Sequence, residues 1–122
     1  MIDAAYHGGV RYFDTAPLYG HGDSERRVGR GVRRYNRDSF ALSTKAGRLL
    51  VPMDEGKRFE GMLDTNPVSI QYGYTYDGAR RSFEESLERL GIDRVDVLLC
   101  HDIDKWTHGD TDQPQIFKTA MD

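Results

Sequence analysis

The sequence has a single cysteine, Cys100, and so cannot form an internal disulfide. That suits a reducing compartment. It has no run of eighteen apolar residues, so no membrane-spanning helix is expected. Met1 to Gly9 contain Asp3 and His7 and no apolar stretch, which argues against a secretory signal and for a cytoplasmic protein. There is no large excess of charge of either sign: the net charge is -3, giving no reason to expect a nucleic-acid partner. A G-x-G-x-x-G fingerprint is also missing, so the glycines present do not mark a Rossmann-type phosphate loop.

What is present alternates between helix and strand. A helix runs to Tyr6 and closes on Gly8-Gly9. Val10 to Phe13 read as a strand ending at Asp14. Thr15 to Gly22, with Pro17, Gly20 and Gly22, read as a loop. Asp23 or Ser24 is suited to cap a helix over about 24–34. After a turn at Asn36-Arg37-Asp38, Phe40 to Thr44 form a second strand ending at Lys45. Residues 46–76 read as long and irregular, with Pro52, Gly56, Gly61, Pro67 and Gly73. Alternation at Val68, Ile70, Tyr72, Tyr74 and Tyr76 allows a short extended stretch inside that region. Asp77 is suited to cap a helix over about 78–90, whose apolar face is Ala79, Phe83, Leu87 and Leu90 and which Gly91 ends. Val95 to Leu99 form a third strand, leading to Cys100 and His101, and the apolar run suits a strand covered on both faces. Gln115 to Asp122 read as a helix that has just begun, and Met1 to Tyr6 as the second half of one. The order predicts an α/β fold of parallel strands joined by crossover helices. Residues 1–122 are expected to be one piece of a domain incomplete at both ends.

Three strands each end on an ionisable residue: Asp14, Lys45 and His101. Tyr19 lies on the loop after Asp14. Catalytic residues of βα barrels sit at such strand ends and in the loops that follow. Taken singly, each has an ordinary explanation: a turn aspartate, an exposed lysine, a half-buried tyrosine, a structural histidine. His101 with Asp102, Asp104 and His108 also allows a metal-site reading, but the spacing matches no strong ligand motif, and no metal is expected. Together, Tyr, Lys and Asp suit proton transfer. A free phenol titrates near about 10. An ammonium roughly 4 Å away favours its phenolate by on the order of 4 kcal/mol at an effective dielectric of about 20, against a cost of desolvation. Histidine at the third strand end can orient a substrate oxygen. No nucleophile with an adjacent base is evident, so acyl transfer is not expected.

These residues resemble a family. Asp14-Thr15-Ala16-Pro17-Leu18-Tyr19-Gly20 with Ser24-Glu25, Ser43-Thr44-Lys45, Glu84 to Gly91 with Asp93, Val95 and Asp96, and His101-Asp102 resemble aldo-keto reductase motifs in order and spacing. The resemblance implies a partial (β/α)8 TIM barrel covering about strands 2 to 4, and an NAD(P)-dependent oxidoreductase. It implies a tetrad of Asp14, Tyr19, Lys45 and His101. Tyr19 would be the general acid or base, Lys45 would ease its proton loss, Asp14 would hold Lys45, and His101 would place the substrate oxygen. Asp14, Tyr19 and Lys45 would also meet the nicotinamide end of NADP or NAD. Lys45 to Leu50, Tyr74 to Gly78 and His101 to Asp104 resemble the bacterial aldose 1-dehydrogenase branch, of the D-threo-aldose and L-fucose type. The implied substrate is a small sugar, aldehyde or ketone. Tyr72, Tyr74, Tyr76 and Trp106 either stack on a sugar face or cover the helix–strand core; the sequence leaves both open. Five arginines between Arg26 and Arg34 suit a solvated helix face better than a phosphate site. A non-catalytic interaction module or an inactive fragment reusing the fold is the rival reading, and an intact tetrad argues against the module.

Overall fold

The computed structural model describes residues 1–53 and 68–122. Its elements run α1 (Ile2–His7), β1 (Tyr12–Asp14), α2 (Asp23–Val32), a 3₁₀ turn (Arg37–Ser39), β2 (Ala41–Ala46), β3 (Arg48–Pro52), β4 (Val68–Tyr72), α3 (Tyr76–Leu90), β5 (Val97–Cys100) and α4 (Lys105–Met121). Strands β1, β2 and β5 form a parallel sheet in that order. Asp14 lies beside Ser43, and Lys45 beside Leu99. Helices α2 and α3 lie between successive strands of that sheet, as the alternation predicts.

Successive side chains of a strand point to opposite faces. Phe13 and Leu42 therefore turn to one side and meet Val28, Val32, Phe40 and Leu90 in a buried core. Tyr12, Asp14, Ser43 and Lys45 occupy the alternate positions. On the core side, Thr44 donates at 2.6 Å to Glu25, a carboxylate with no exposed surface. Arg89 of α3 donates at 2.5 Å to the other oxygen of Glu25. One buried ion pair thus joins α2, α3 and β2. Gly29 allows the helices to approach: a Cβ there would lie 2.0 Å from the Leu90 carbonyl oxygen.

Several sequence expectations need correction. Helix α2 starts on Gly22 (φ 89°), not on a side-chain cap, because Ser24 is hydrogen-bonded to Thr15 at 2.8 Å. Helix α3 is capped by Thr75, which accepts from Gly78 N, and Asp77 sits in its first turn. Its fully buried positions are Ser82, Ser86 and Leu90. The small serines let the helix settle close, and Ser82 donates to the Arg48 carbonyl.

Residues 46–53 and 68–76 are more regular than their composition suggests. Antiparallel β3 and β4 pair from Arg48↔Tyr72 to Pro52↔Val68. Pro52 sits at the hairpin end of β3, where a missing N–H is tolerated. Gly56, Gly61 and Pro67 of that region lie outside the described residues. β5 begins at Val97, not Val95, because the Asp96 carboxylate accepts from Leu42 N at 2.7 Å, taking the ladder position itself. Among the described residues β5 is the outer strand of this sheet, and Val97, Leu98 and Leu99 are 40–45 % exposed. The last helix starts at Lys105, not Gln115, because Asp104 caps it by accepting from Thr107 N at 3.0 Å. It breaks at Gly109 (φ 72°).

The packing between helices generates a stability test. Gly29→Ala sets a new carbon against backbone atoms that cannot rotate away. It should destabilise by about 1–3 kcal/mol, the usual range for overpacking. Urea unfolding measures this, and an unchanged midpoint would show that α2 and α3 have room to part.

Candidate active site

The carboxyl ends of the three parallel strands bring together all four residues of the expected tetrad. Asp14 ends β1, Lys45 lies near the end of β2, and His101 follows β5. Tyr19 stands on the loop between β1 and α2. That loop is held by local bonds, Tyr19 N to Ala16 O and Gly22 N to Pro17 O, and by left-handed residues Gly20, His21 and Gly22. Pro17 and Ala16 are buried beneath it. The loop is therefore anchored from below while Tyr19 stays 42 % exposed.

Lys45 Nζ lies 2.6 Å from Asp14 Oδ2 and donates at 3.0 Å to the Thr15 carbonyl. It also lies 4.8 Å from the centre of the Tyr19 ring. The Tyr19 and His101 rings meet edge to face, with centres 5.9 Å apart. Ser43, which the sequence reading placed in a motif without a role, donates to the second Asp14 oxygen at 2.5 Å and accepts from Tyr12 OH at 2.8 Å. No linear spacing announces this bond; it follows from the register that sets Asp14 beside Ser43.

Burial alone would raise Asp14, but hydrogen bonds from Lys45 and Ser43 outweigh it and hold the carboxyl below its ordinary value. Burial pulls the Lys45 ammonium down, yet its interactions with Asp14 and Tyr19 outweigh that and hold it above the lysine norm. His101, only 4 % exposed, is pushed below the ordinary histidine value by burial; Asp102 opposes this, and Arg48 and Lys45 add to it. Its backbone is fixed by His101 N to Ala46 O and by Tyr74 OH donating to its carbonyl at 2.7 Å.

The groups named in the metal reading have other partners. Asp102 pairs with Arg48 at 2.7 Å, Asp104 caps α4, and His108 is hydrogen-bonded to the Asp102 carbonyl. Among the described residues no three such side chains converge. The aromatic residues divide between the two open readings. Tyr74 is buried, with its hydroxyl pushed up to about 12 chiefly by burial, and covers the strand ends. Tyr72, Tyr76 and Trp106 are exposed, Trp106 almost wholly so in the first turn of α4. The helix arginines form surface contacts, including Arg26 with Asp23 and Arg34 with Asp3.

Comparison with known proteins agrees with this geometry. The model of the aldo/keto reductase family matches residues 1–122. A D-threo-aldose 1-dehydrogenase from Pseudomonas is 44% identical over 108 residues, covering 84% of this chain and 32% of the relative. A pyridoxal 4-dehydrogenase from Microbacterium luteolum is 35% identical over 120 residues, covering 90% of this chain and 35% of the relative. The solved glycerol dehydrogenase from Gluconobacter oxydans superposes with a TM-score of 0.62 at 25% identity, over 96% of this chain and 33% of that one. This chain thus spans about a third of the length of the curated relatives it matches. Its three parallel strands and their helices are part of a TIM barrel. No helix among the described residues is long and apolar enough to cross a membrane.

The Asp14–Lys45 pair makes a pH prediction. The Asp14 contribution is fully present above 3.8 and is lost as pH falls through its lower folded value. The Lys45 contribution is fully present below 10.5 and is lost as pH rises through its higher folded value. Asp14→Asn should therefore lower the unfolding midpoint at about pH 7 and lower it by less at about pH 3, below the ordinary carboxylate value. Denaturation at both values checks this; equal losses would mean that the charge of Asp14 is not what stabilises.

Proposed function

This chain belongs to the aldo/keto reductase family, and from that premise we propose that it is the N-terminal part of a cytoplasmic NAD- or NADP-dependent oxidoreductase acting on a small sugar or other carbonyl or alcohol. The observation that carries the reading is the convergence of Asp14, Tyr19, Lys45 and His101 at one end of three parallel strands. The likeness to a D-threo-aldose 1-dehydrogenase supports an aldose oxidised at C1.

The residues present fit the reactive end of a nicotinamide. The Lys45 ammonium and the His101 ring lie 4.8 and 5.9 Å from the ring of the exposed Tyr19, and the buried Nδ1 of His101 has no hydrogen-bond partner among the described residues. Such a cofactor, when bound, supplies or accepts hydride at the substrate carbon; the protein supplies placement and charge. Tyr19 gives a proton to the substrate oxygen in reduction and takes one in oxidation. Lys45 stabilises the phenolate left behind. Asp14 fixes the ammonium, and Ser43 turns Asp14 so that Oδ2 faces it. His101 donates to the substrate oxygen and so sets which carbon is presented. Trp106, exposed beyond His101, offers a ring face to a sugar.

Tyr19→Phe in the full-length protein should lower kcat on the order of 10²- to 10⁴-fold, the usual share of a general acid or base, and weaken cofactor binding far less, since the ring is retained. Steady-state rates with an aldose, beside fluorescence titration of NADPH and NADH, separate the two effects; retained turnover would remove Tyr19 from the chemistry. The isolated 122-residue chain should give no detectable heat with either cofactor in isothermal titration, since it has about a third of its relatives' length. Micromolar binding would place the main cofactor contacts within these residues.

A further inference from the structure

Arg48 is in neither the expected tetrad nor the proton path, yet it is buried one residue beyond the turn that follows β2. Gly47 makes that turn at φ 103°, and a Cβ there would lie 2.4 Å from the Tyr74 ring. The turn brings Arg48 under the His101 loop with its side chain 10 % exposed. Its Nη2 donates at 2.7 Å to Asp102 Oδ2. The same oxygen lies 3.4 Å from His101 Nε2. Asp102 is held in this place by a left-handed backbone (φ 48°) and by Tyr74 and His108, both hydrogen-bonded to its carbonyl.

A carboxylate this close to an imidazole favours its protonated form. An imidazolium would turn Nε2–H to Asp102 and be lost to a substrate oxygen. We propose that Arg48 is a positioning residue: by holding Asp102 Oδ2 in an ion pair, it keeps that carboxylate from capturing His101, so that His101 meets the substrate as a neutral donor. This rests on the role given to His101 above. The charged groups facing His101 are Asp102 on its own loop, Arg48 on β3, Lys45 on β2 and Asp14 on β1. Lys45 and Asp14 neutralise each other at 2.6 Å. The balance therefore depends on Arg48 against Asp102. Burial is the largest influence and depresses the proton affinity of His101; Asp102 pulls it up, and Arg48 offsets part of that pull.

The test is a histidine-resolved NMR titration of the full-length protein, with His101 assigned by substitution. Arg48→Met should move the His101 midpoint upward and carry the acid limb of kcat/KM with it. Arg48→Lys should restore both most of the way. Adding Asp102→Asn to Arg48→Met should cancel the rise. An unchanged midpoint in Arg48→Met, or a rise that persists without Asp102, would overturn the proposal. Should Arg48→Met not fold, Asp102→Asn alone decides: an unopposed Arg48 should lower the midpoint, and no change or a rise would overturn it. The titration needs no turnover. A wild-type protein that titrates as expected but transfers no hydride would refute the oxidoreductase reading and leave the Arg48–Asp102 relation standing.

Discussion

A carboxylate without any solvent-exposed surface, Glu25, holds this structure together. Such a charge is tolerated only when paired and hydrogen-bonded. Arg89 and Thr44 meet that requirement from two other elements, so α2, α3 and β2 take up one relative placement. Gly29 removes the steric obstacle to that placement, and Ser82 and Ser86 keep the facing side of α3 small. The apolar cluster around Leu42 and Leu90 supplies burial, and the buried pair makes the arrangement specific.

That anchoring reaches the site through a single strand. Thr44 is tied to the helices, while its neighbours Ser43 and Lys45 occupy the opposite face of β2. The helix packing thus fixes the backbone from which the Asp14–Ser43–Lys45 bonds are made. On the other flank, Tyr74 joins the hairpin and α3 to the backbone of His101 and Asp102. Two independent ties, one polar and buried beneath β2 and one through Tyr74, set the separation of Tyr19 and His101.

Where the sequence reading missed, the cause is physical in each case. Alternation marks β4, but not its partner β3, because a strand flanked by glycine and ending on proline has a composition like that of an irregular loop. Asp77 was the expected cap, but Thr75 lies one residue before the first helical turn with its hydroxyl free to accept, and it takes the role. The roles of Ser43, Arg48, Asp102 and Glu25 arise from residues 19 to 64 positions apart and have no linear signature.

By itself the sequence determined the α/β alternation, the three parallel strands, and Asp14, Tyr19, Lys45 and His101 as residues meeting at strand ends. Each of these depends on local periodicity or on short motifs. Tertiary structure alone decided which groups tune them. Burial, register and the close approach of helices brought Ser43 to Asp14, Arg48 to Asp102, and Arg89 to Glu25. Charge interactions depend on distance and solvent exclusion, and both are properties of the folded chain, not of spacing along it.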